Sequence, residues 1–185
     1  MLYLVGGASR AGKSLLARKL LMQRHIPYFS IDILMMGFAN GFPEFGLDPE
    51  DSGIVRAEKL WPILRAMCAN ILEEKLYHPT YLLEGDVLLP KHAAELIQTY
   101  GTEVKACFIG YTEVIPMAKL RDIREFEGDW ANSYTDEQAL AFITHQMGFS
   151  AYLQQECVTH NLRFCDCSAD LAKALDDAFH YFVPT

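Results

Sequence analysis

Near its start the chain reads Gly7-Ala8-Ser9-Arg10-Ala11-Gly12-Lys13-Ser14, two glycines separated by four residues and followed by a lysine and a hydroxyl. This spacing serves one kind of chemistry. Glycines at 7 and 12 let the backbone turn tightly and bring its N–H groups against the oxygens of a polyphosphate. A helix opening at Lys13 aims the positive end of its dipole at the same point. The Lys13 ammonium reaches the β and γ phosphates, and the Ser14 hydroxyl takes one position on Mg²⁺. The expected nucleotide-binding set is therefore Gly7, Ala8, Ser9, Arg10, Ala11, Gly12, Lys13, Ser14 and Leu15, with ATP and Mg²⁺ as ligands. Arg10 has two readings, a phosphate contact or a solvated side chain.

Three acids stand just past apolar runs. Asp32 follows Tyr28-Phe29-Ser30-Ile31, and Glu84 and Asp86 flank Gly85 after Tyr81-Leu82-Leu83. In an open α/β sheet, ligands bind beyond the carboxyl ends of the strands, where such acids would face the γ-phosphate. A carboxylate there can hold Mg²⁺ directly or through water, or take or orient the proton of an attacking hydroxyl. Asp32 is expected to position the acceptor hydroxyl, and Glu84 to serve magnesium through water, with Asp86 able to exchange roles with either. The plainer alternatives are a helix N-cap for Asp32 and strand-end turn chemistry for Glu84-Gly85-Asp86.

These groups need a scaffold of alternating elements. The apolar run 2–5 predicts a strand ahead of the loop, and Leu15, Leu16, Leu20 and Leu21 predict a helix over 14–24. Further strands are expected at 27–31, 80–83, 104–111 and 162–167, and helices at 54–76, 91–100, 112–127 and 170–182, with one or two more over 135–161. Pro62 is expected to restart or kink the second helix, and the glycine-rich stretch 37–53 to be irregular. Strands alternating with helices imply parallel pairing by right-handed crossovers, and short apolar strands imply a sheet covered on both faces. The result is a three-layer α/β domain, and the pattern alone leaves strand order open.

Composition narrows the field. The 185 residues suit one domain, and 51% hydrophobic content supports a sizeable core. A net charge of −8 argues against nucleic acid as a partner. No apolar run is long enough for a membrane span. The opening Met1-Leu2-Tyr3-Leu4-Val5 has no basic lead or cleavage site, so a buried strand is expected in place of a signal peptide. Five cysteines, at 68, 107, 157, 165 and 167, are then expected to be free thiols in a reducing cytoplasm. Cys165-x-Cys167 is read as a pair of buried thiols, because no second pair offers the remaining ligands of a metal site.

With these residues in view, the chain resembles small P-loop kinases of the adenylate kinase-like group, including proteins described as 2-phosphoglycerate kinase-like. The resemblance rests on Gly7 to Ser14, Tyr28-Phe29-Ser30-Ile31-Asp32, Tyr81-Leu82-Leu83-Glu84-Gly85, Leu120-Arg121-Asp122-Ile123-Arg124, and Arg163-Phe164-Cys165-Asp166-Cys167-Ser168. It runs over nearly the whole chain, and the phosphate loop is its specific part. It implies a Rossmann-like P-loop NTPase fold: a five-stranded parallel sheet in the order 2-3-1-4-5 with a helical lid, over 1–185 as one domain. In that frame 117–135 is the lid and 37–60 the acceptor-binding insert. Arg121 and Arg124 become the lid arginines that spread charge on the transferring group. Ser168-Ala169-Asp170 approaches the adenine edge. Two departures matter. Adenylate kinases usually carry Asp-Gly where this chain has Glu84-Gly85, and the 37–53 stretch lacks the arginine that grips a nucleoside monophosphate, Arg56 being the nearest. The second departure favours another hydroxylated or phosphorylated small molecule as acceptor.

The function expected is ATP-dependent phosphoryl transfer to a small metabolite. The alternatives are a nucleotide-controlled switch or slow ATPase that acts through a protein, and a degenerate kinase that binds ATP without turnover. The chain lacks the Asn-Lys-x-Asp signature of guanine-specific switches and the acidic pair that closes a long apolar strand in mechanical ATPases. The acceptor's identity and the oligomeric state are not legible at this level.

Overall fold

The residues of β1 (Leu2–Gly7) are all buried. Their alternation sends Leu2 and Leu4 into one core and Tyr3 and Val5 into another, so this short apolar run has to lie at the centre of a sheet covered on both sides. A computed structural model of the protein, describing residues 1–74, 79–125 and 130–184, places it there. After β1 come α1 (Lys13–Arg24), β2 (Tyr28–Ser30), α2 (Ile31–Gly41), α3 (Gly53–Glu74), β3 (Tyr81–Glu84), α4 (Pro90–Tyr100), β4 (Val104–Gly110), α5 (Pro116–Arg124), α6 (Asp136–Thr159), β5 (Arg163–Asp166) and α7 (Leu171–Phe182). The five strands form one sheet in the order β2-β3-β1-β4-β5, with every pairing parallel. This is a three-layer α/β fold with the strand order that the family resemblance implied.

The two cores divide the helices. Leu16 and Leu20 of α1, Leu120 and Ile123 of α5, and Ala178, Phe179 and Phe182 of α7 pack with Val5 and Ile109. Leu60 and Leu64 of α3 and Leu96 of α4 pack with Leu2, Leu4 and Phe108 on the other side. Helix α6 serves both, with Ala139 and Ile143 in the first core and Leu153 and Cys157 in the second. A capping box between Thr135 and Gln138 opens it, and it runs unbroken over a stretch that the sequence pattern left as one helix or two.

Three local expectations change. Helix α3 passes through Pro62 without restarting. Proline costs a helix one backbone bond, but Ala57, Leu60, Leu64, Cys68 and Leu72 are buried along one stripe of α3, and that tertiary burial outweighs the local cost. The stretch 37–53 is not irregular throughout, since α2 continues through Gly37 to Gly41 before a 3₁₀ turn at Pro43–Phe45. Helix α5 starts at Pro116, not at 112, because proline's fixed φ suits the first helical position. The expected helix ends at 76 and 127, and residues 126–129 of the expected lid, lie outside the described residues.

Register sets up the site. Val5 of β1 and Ser30 of β2 both align with Glu84 of β3. The carboxyl ends of three adjacent strands therefore open at one level, with the 7–14 loop directly above β1. All five cysteines are buried free thiols. Among the described residues, no helix is long and apolar enough to cross a membrane.

Candidate functional site

The loop is built around its glycines. Gly7 has φ +143°, and a Cβ there would lie 2.0 Å from the carbonyl oxygen of Ile109. Gly12 has φ +97°, with the tips of Leu171 and Leu175 at 3.0 and 3.1 Å from a Cβ. Between them, four successive carbonyls are engaged by side-chain donors. Lys13 Nζ donates to Ala8 O at 2.9 Å, the Tyr111 hydroxyl to Ser9 O at 3.0 Å, and Lys119 Nζ to Arg10 O at 2.9 Å. The Cys167 thiol donates to Ala11 O at 3.7 Å. In a trans peptide the N–H points opposite the C=O, so carbonyls drawn one way turn the amides that follow them the other way. From α6, Gln146 Oε1 accepts the Ser9 amide at 2.9 Å. One turn further on, Ser150 accepts the Tyr111 amide at 3.0 Å. Gly110 permits this docking, since a Cβ there would meet Ser150 Oγ at 2.8 Å.

Tyr111, Lys119, Gln146 and Ser150 went unread in the sequence. Each is distant along the chain from the loop, and none belongs to a motif. The one usable hint was polar residues at 146 and 150, one turn apart in a long helix with apolar spacing.

Beside the loop lies a carboxylate cluster. The Ser14 hydroxyl donates to Glu84 Oε1 at 3.2 Å, and Glu84 is 1% exposed. Asp86 is 8% exposed and pairs through Oδ2 with Arg56 Nη2 at 3.3 Å. Arg56 also donates from Nη1 to Met35 Sδ at 3.5 Å, tying α3 to α2. Asp32 is the second residue of α2, in its first turn; the N-cap position belongs to Ser30, whose side chain makes no capping bond. The plainer alternative for Asp32, a helix cap, is therefore not what the structure holds. Gly85 admits α2 closely, since a Cβ there would lie 2.9 Å from Ile31 Cβ and 3.4 Å from Asp32 Oδ1.

Burial pushes the Asp32 carboxyl up to about 6, helped by the charges of Asp86 and Glu84 and a hydrogen bond with Asp86, and opposed by the Lys13 ammonium. Asp32 Oδ1, Glu84 Oε2, Asp86 Oδ1 and Arg56 Nε are all buried without a hydrogen-bond partner. Orphaned buried polar atoms are costly, and four of them at the carboxyl ends of β1–β3 mark a place shaped for a polar ligand. Among the described residues, no group of three or more His, Cys, Asp or Glu is placed to enclose a metal. The donor set instead suits Mg²⁺, which keeps several waters and shares phosphate oxygens: a hydroxyl at Ser14 and a buried carboxylate at Glu84 with one free oxygen.

A cavity of about 950 Å³ extends from this point. Ser9, Arg10, Lys13, Ser14 and Asp32 are among the residues that line it, together with Lys119 of α5. Its size falls within the range of sites for nucleotide-sized ligands. Lys13, Ser14, Asp32, Glu84 and Asp86 lie close together. Arg121 and Arg124 are not. Neither lines the cavity; Arg121 is exposed, and Arg124 Nη2 donates to Tyr134 O at 2.7 Å and pairs with Asp136 at 3.1 Å. Ser168 and Ala169 do lie on the cavity wall.

In fold the chain is similar to a shikimate kinase from Bacteroides thetaiotaomicron, with a TM-score of 0.61 and 14% identity over 98% of each chain. It is also similar to a gluconokinase from Sinorhizobium meliloti 1021, with a TM-score of 0.59 and 15% identity over 97% of this chain and 89% of that one. An uncharacterized protein from Eubacterium ventriosum ATCC 27560 aligns with a TM-score of 0.54 and 16% identity over 100% and 99%. At such identities the likeness is one of fold alone. No protein-family model matches the chain, and no curated protein does.

Proposed function

We propose that this protein transfers the γ-phosphoryl group of ATP to a hydroxyl of a small, polar metabolite. The observation that carries the reading is that Lys13, Ser14 and Asp32 line a nucleotide-sized cavity, while Glu84 and Asp86, buried beside Ser14 and Asp32, keep oxygens without a partner. The fold neighbours named for shikimate and gluconate kinases support it.

Each side chain has a job that its geometry supports. The loop amides and Lys13 hold the β and γ phosphates. Moving to phosphate, Lys13 exchanges its bond to Ala8 O for a charge-assisted one. Ser14 and Glu84 would hold Mg²⁺, with Asp86 nearby. Bound there, magnesium would supply positive charge to the phosphate oxygens. Asp32 accepts the proton of the attacking hydroxyl, and its raised pKa makes it a stronger base than an ordinary aspartate once ionised. Arg56, held by Asp86, presents a free Nε–H on the same side. Two carboxylate acceptors and one guanidinium donor match an acceptor with several oxygens better than a purely apolar alcohol. Arg121 and Arg124 serve the transferring group only if α5 turns. Arg124 would then leave Tyr134 and Asp136, a closure of the kind lids undergo.

The test is ADP release from Mg·ATP across a panel of hydroxylated and carboxylated metabolites, with Lys13→Ala alongside. At least one compound is expected to stimulate turnover, and that stimulation disappears in the variant. A panel that leaves basal turnover unchanged, together with nucleotide-dependent capture of a protein, overturns the kinase reading in favour of a switch.

A further inference from the structure

Among the described residues of α5, the cation that faces the cavity is Lys119. It lies five and two residues ahead of the arginine pair that the family resemblance selected. Its ammonium has three N–H donors. One goes to Arg10 O at 2.9 Å, on the outer bend of the phosphate loop. The ammonium also lies 4.7 Å from the centre of the Tyr111 ring, whose hydroxyl holds the neighbouring carbonyl of Ser9. These contacts fix Lys119 against the loop and leave donor capacity on the cavity side.

The charges around the cavity call for such a group. Glu113, Asp122, Glu125 and Asp32 line it along with Arg10, Lys13 and Lys119. A ligand as anionic as Mg·ATP meets acids across much of that wall. Without Lys119 the cations on it would be Arg10 and Lys13, and the acid-rich α5 side would repel the phosphates.

Resting on the nucleotide-binding reading above, we propose that Lys119 is the second ammonium of the phosphate site: it contacts the nucleotide's phosphates directly while its bond to Arg10 O ties α5 to the loop. Nucleotide binding and the position of α5 are thereby linked through one side chain.

The experiment has two arms on the full chain. In the first, calorimetry measures Mg·ATP and Mg·tripolyphosphate binding to wild type, Lys119→Met, Lys119→Arg, Lys13→Ala and, as a remote control, Lys91→Met. Lys119→Met is expected to weaken both ligands about tenfold, one charge-assisted contact's worth. Lys119→Arg should stay within about threefold of wild type, as should the control. In the second arm, wild-type protein is labelled with an amine-reactive ester with and without Mg·tripolyphosphate, and each lysine is quantified by mass spectrometry. Lys119 is expected to be protected several-fold, and Lys91 not at all. Lys119→Met binding like wild type, or Lys119 labelling at the same rate with ligand bound, overturns the proposal. Should Lys119→Met fail to fold, the labelling arm decides alone. If wild type binds neither ligand at millimolar concentration, the nucleotide reading itself falls. Binding by wild type that is lost in Lys13→Ala and indifferent to Lys119 sinks this inference only.

Discussion

The hydroxyl of Ser14 donates to Oε1 of Glu84 at 3.2 Å, joining the last residue of the phosphate loop to the last residue of β3. Glu84 is 1% exposed and keeps a second oxygen without a partner. A buried carboxylate with half its capacity unused is expected to serve a cation held on the same hydroxyl. Glu84→Gln keeps the shape and removes the charge. The magnesium concentration for half-maximal nucleotide binding should rise about tenfold or more, as on loss of an outer-sphere metal partner, while the melting temperature stays level or rises. A magnesium titration followed by calorimetry checks this; an unchanged midpoint removes Glu84 from the metal site.

Asp32 gives a pH signature. Its folded pKa of about 6 lies above its ordinary value of 3.8, so the folded chain holds this proton more tightly than the unfolded one. Its contribution to stability is therefore greatest below about pH 4, is lost progressively as pH rises to about 6, and stays lost above. Asp32→Asn should flatten that slope and stabilise the protein at pH 7.5 by on the order of 2–3 kcal/mol. Denaturant melts between pH 4 and 8 read both effects. Turnover should move the opposite way, rising through about pH 6 as the base ionises. Activity that is flat from pH 5 to 8 argues against Asp32 as the base.

The two loop glycines should fail differently. Gly7→Ala sets a methyl group 2.0 Å from the Ile109 carbonyl at a backbone φ of +143°, and neither atom sits on a flexible group. A loss of about 3 kcal/mol or more, or no folded protein, is expected. Gly12→Ala meets only leucine tips at 3.0 and 3.1 Å. It should fold with a modest loss, chiefly from its φ of +97°, and lose nucleotide binding. Thermal melts paired with Mg·ATP titration separate the two.

Arg124 holds the start of α6, through Tyr134 O and Asp136. Asp136 is largely exposed, so the ion pair adds little. Arg124→Met should cost about 1 kcal/mol, mostly from the carbonyl bond. If α5 does turn to bring Arg124 onto the transferring group, kcat should fall at least about tenfold while KM for ATP stays within about twofold. Steady-state kinetics with a stimulating acceptor decides; equal kcat leaves Arg124 a fastener of α6.

Much of the fold was legible because it rests on local pattern. An apolar strand, a glycine-spaced loop and a basic helix in sequence place Lys13 and Ser14 by covalent geometry alone. The acids at 32, 84 and 86 stand out because each follows an apolar run in the sequence, near where a parallel sheet opens its ligand face. Local signal was in places opposed by packing: Pro62 reads as a restart or a kink, and α3 does not restart there because its buried stripe holds it. Glycines 37 and 41 read as loop, yet α2 runs through both.

By itself, then, the sequence determined that a glycine-spaced loop links the first strand to a helix opening at Lys13, and that acids stand at neighbouring strand ends, since all of these depend on spacing within a few residues. Only the tertiary structure decided which groups meet. The pairing of Val5 and Ser30 with Glu84 levels the strand ends. Arg56 crosses from α3 to Asp86, Gln146 and Lys119 reach the loop from more than a hundred residues away, and Arg124 turns to Asp136. Such contacts depend on where whole helices dock, and docking is set by the summed burial of two cores and not by any one residue's neighbours in the chain.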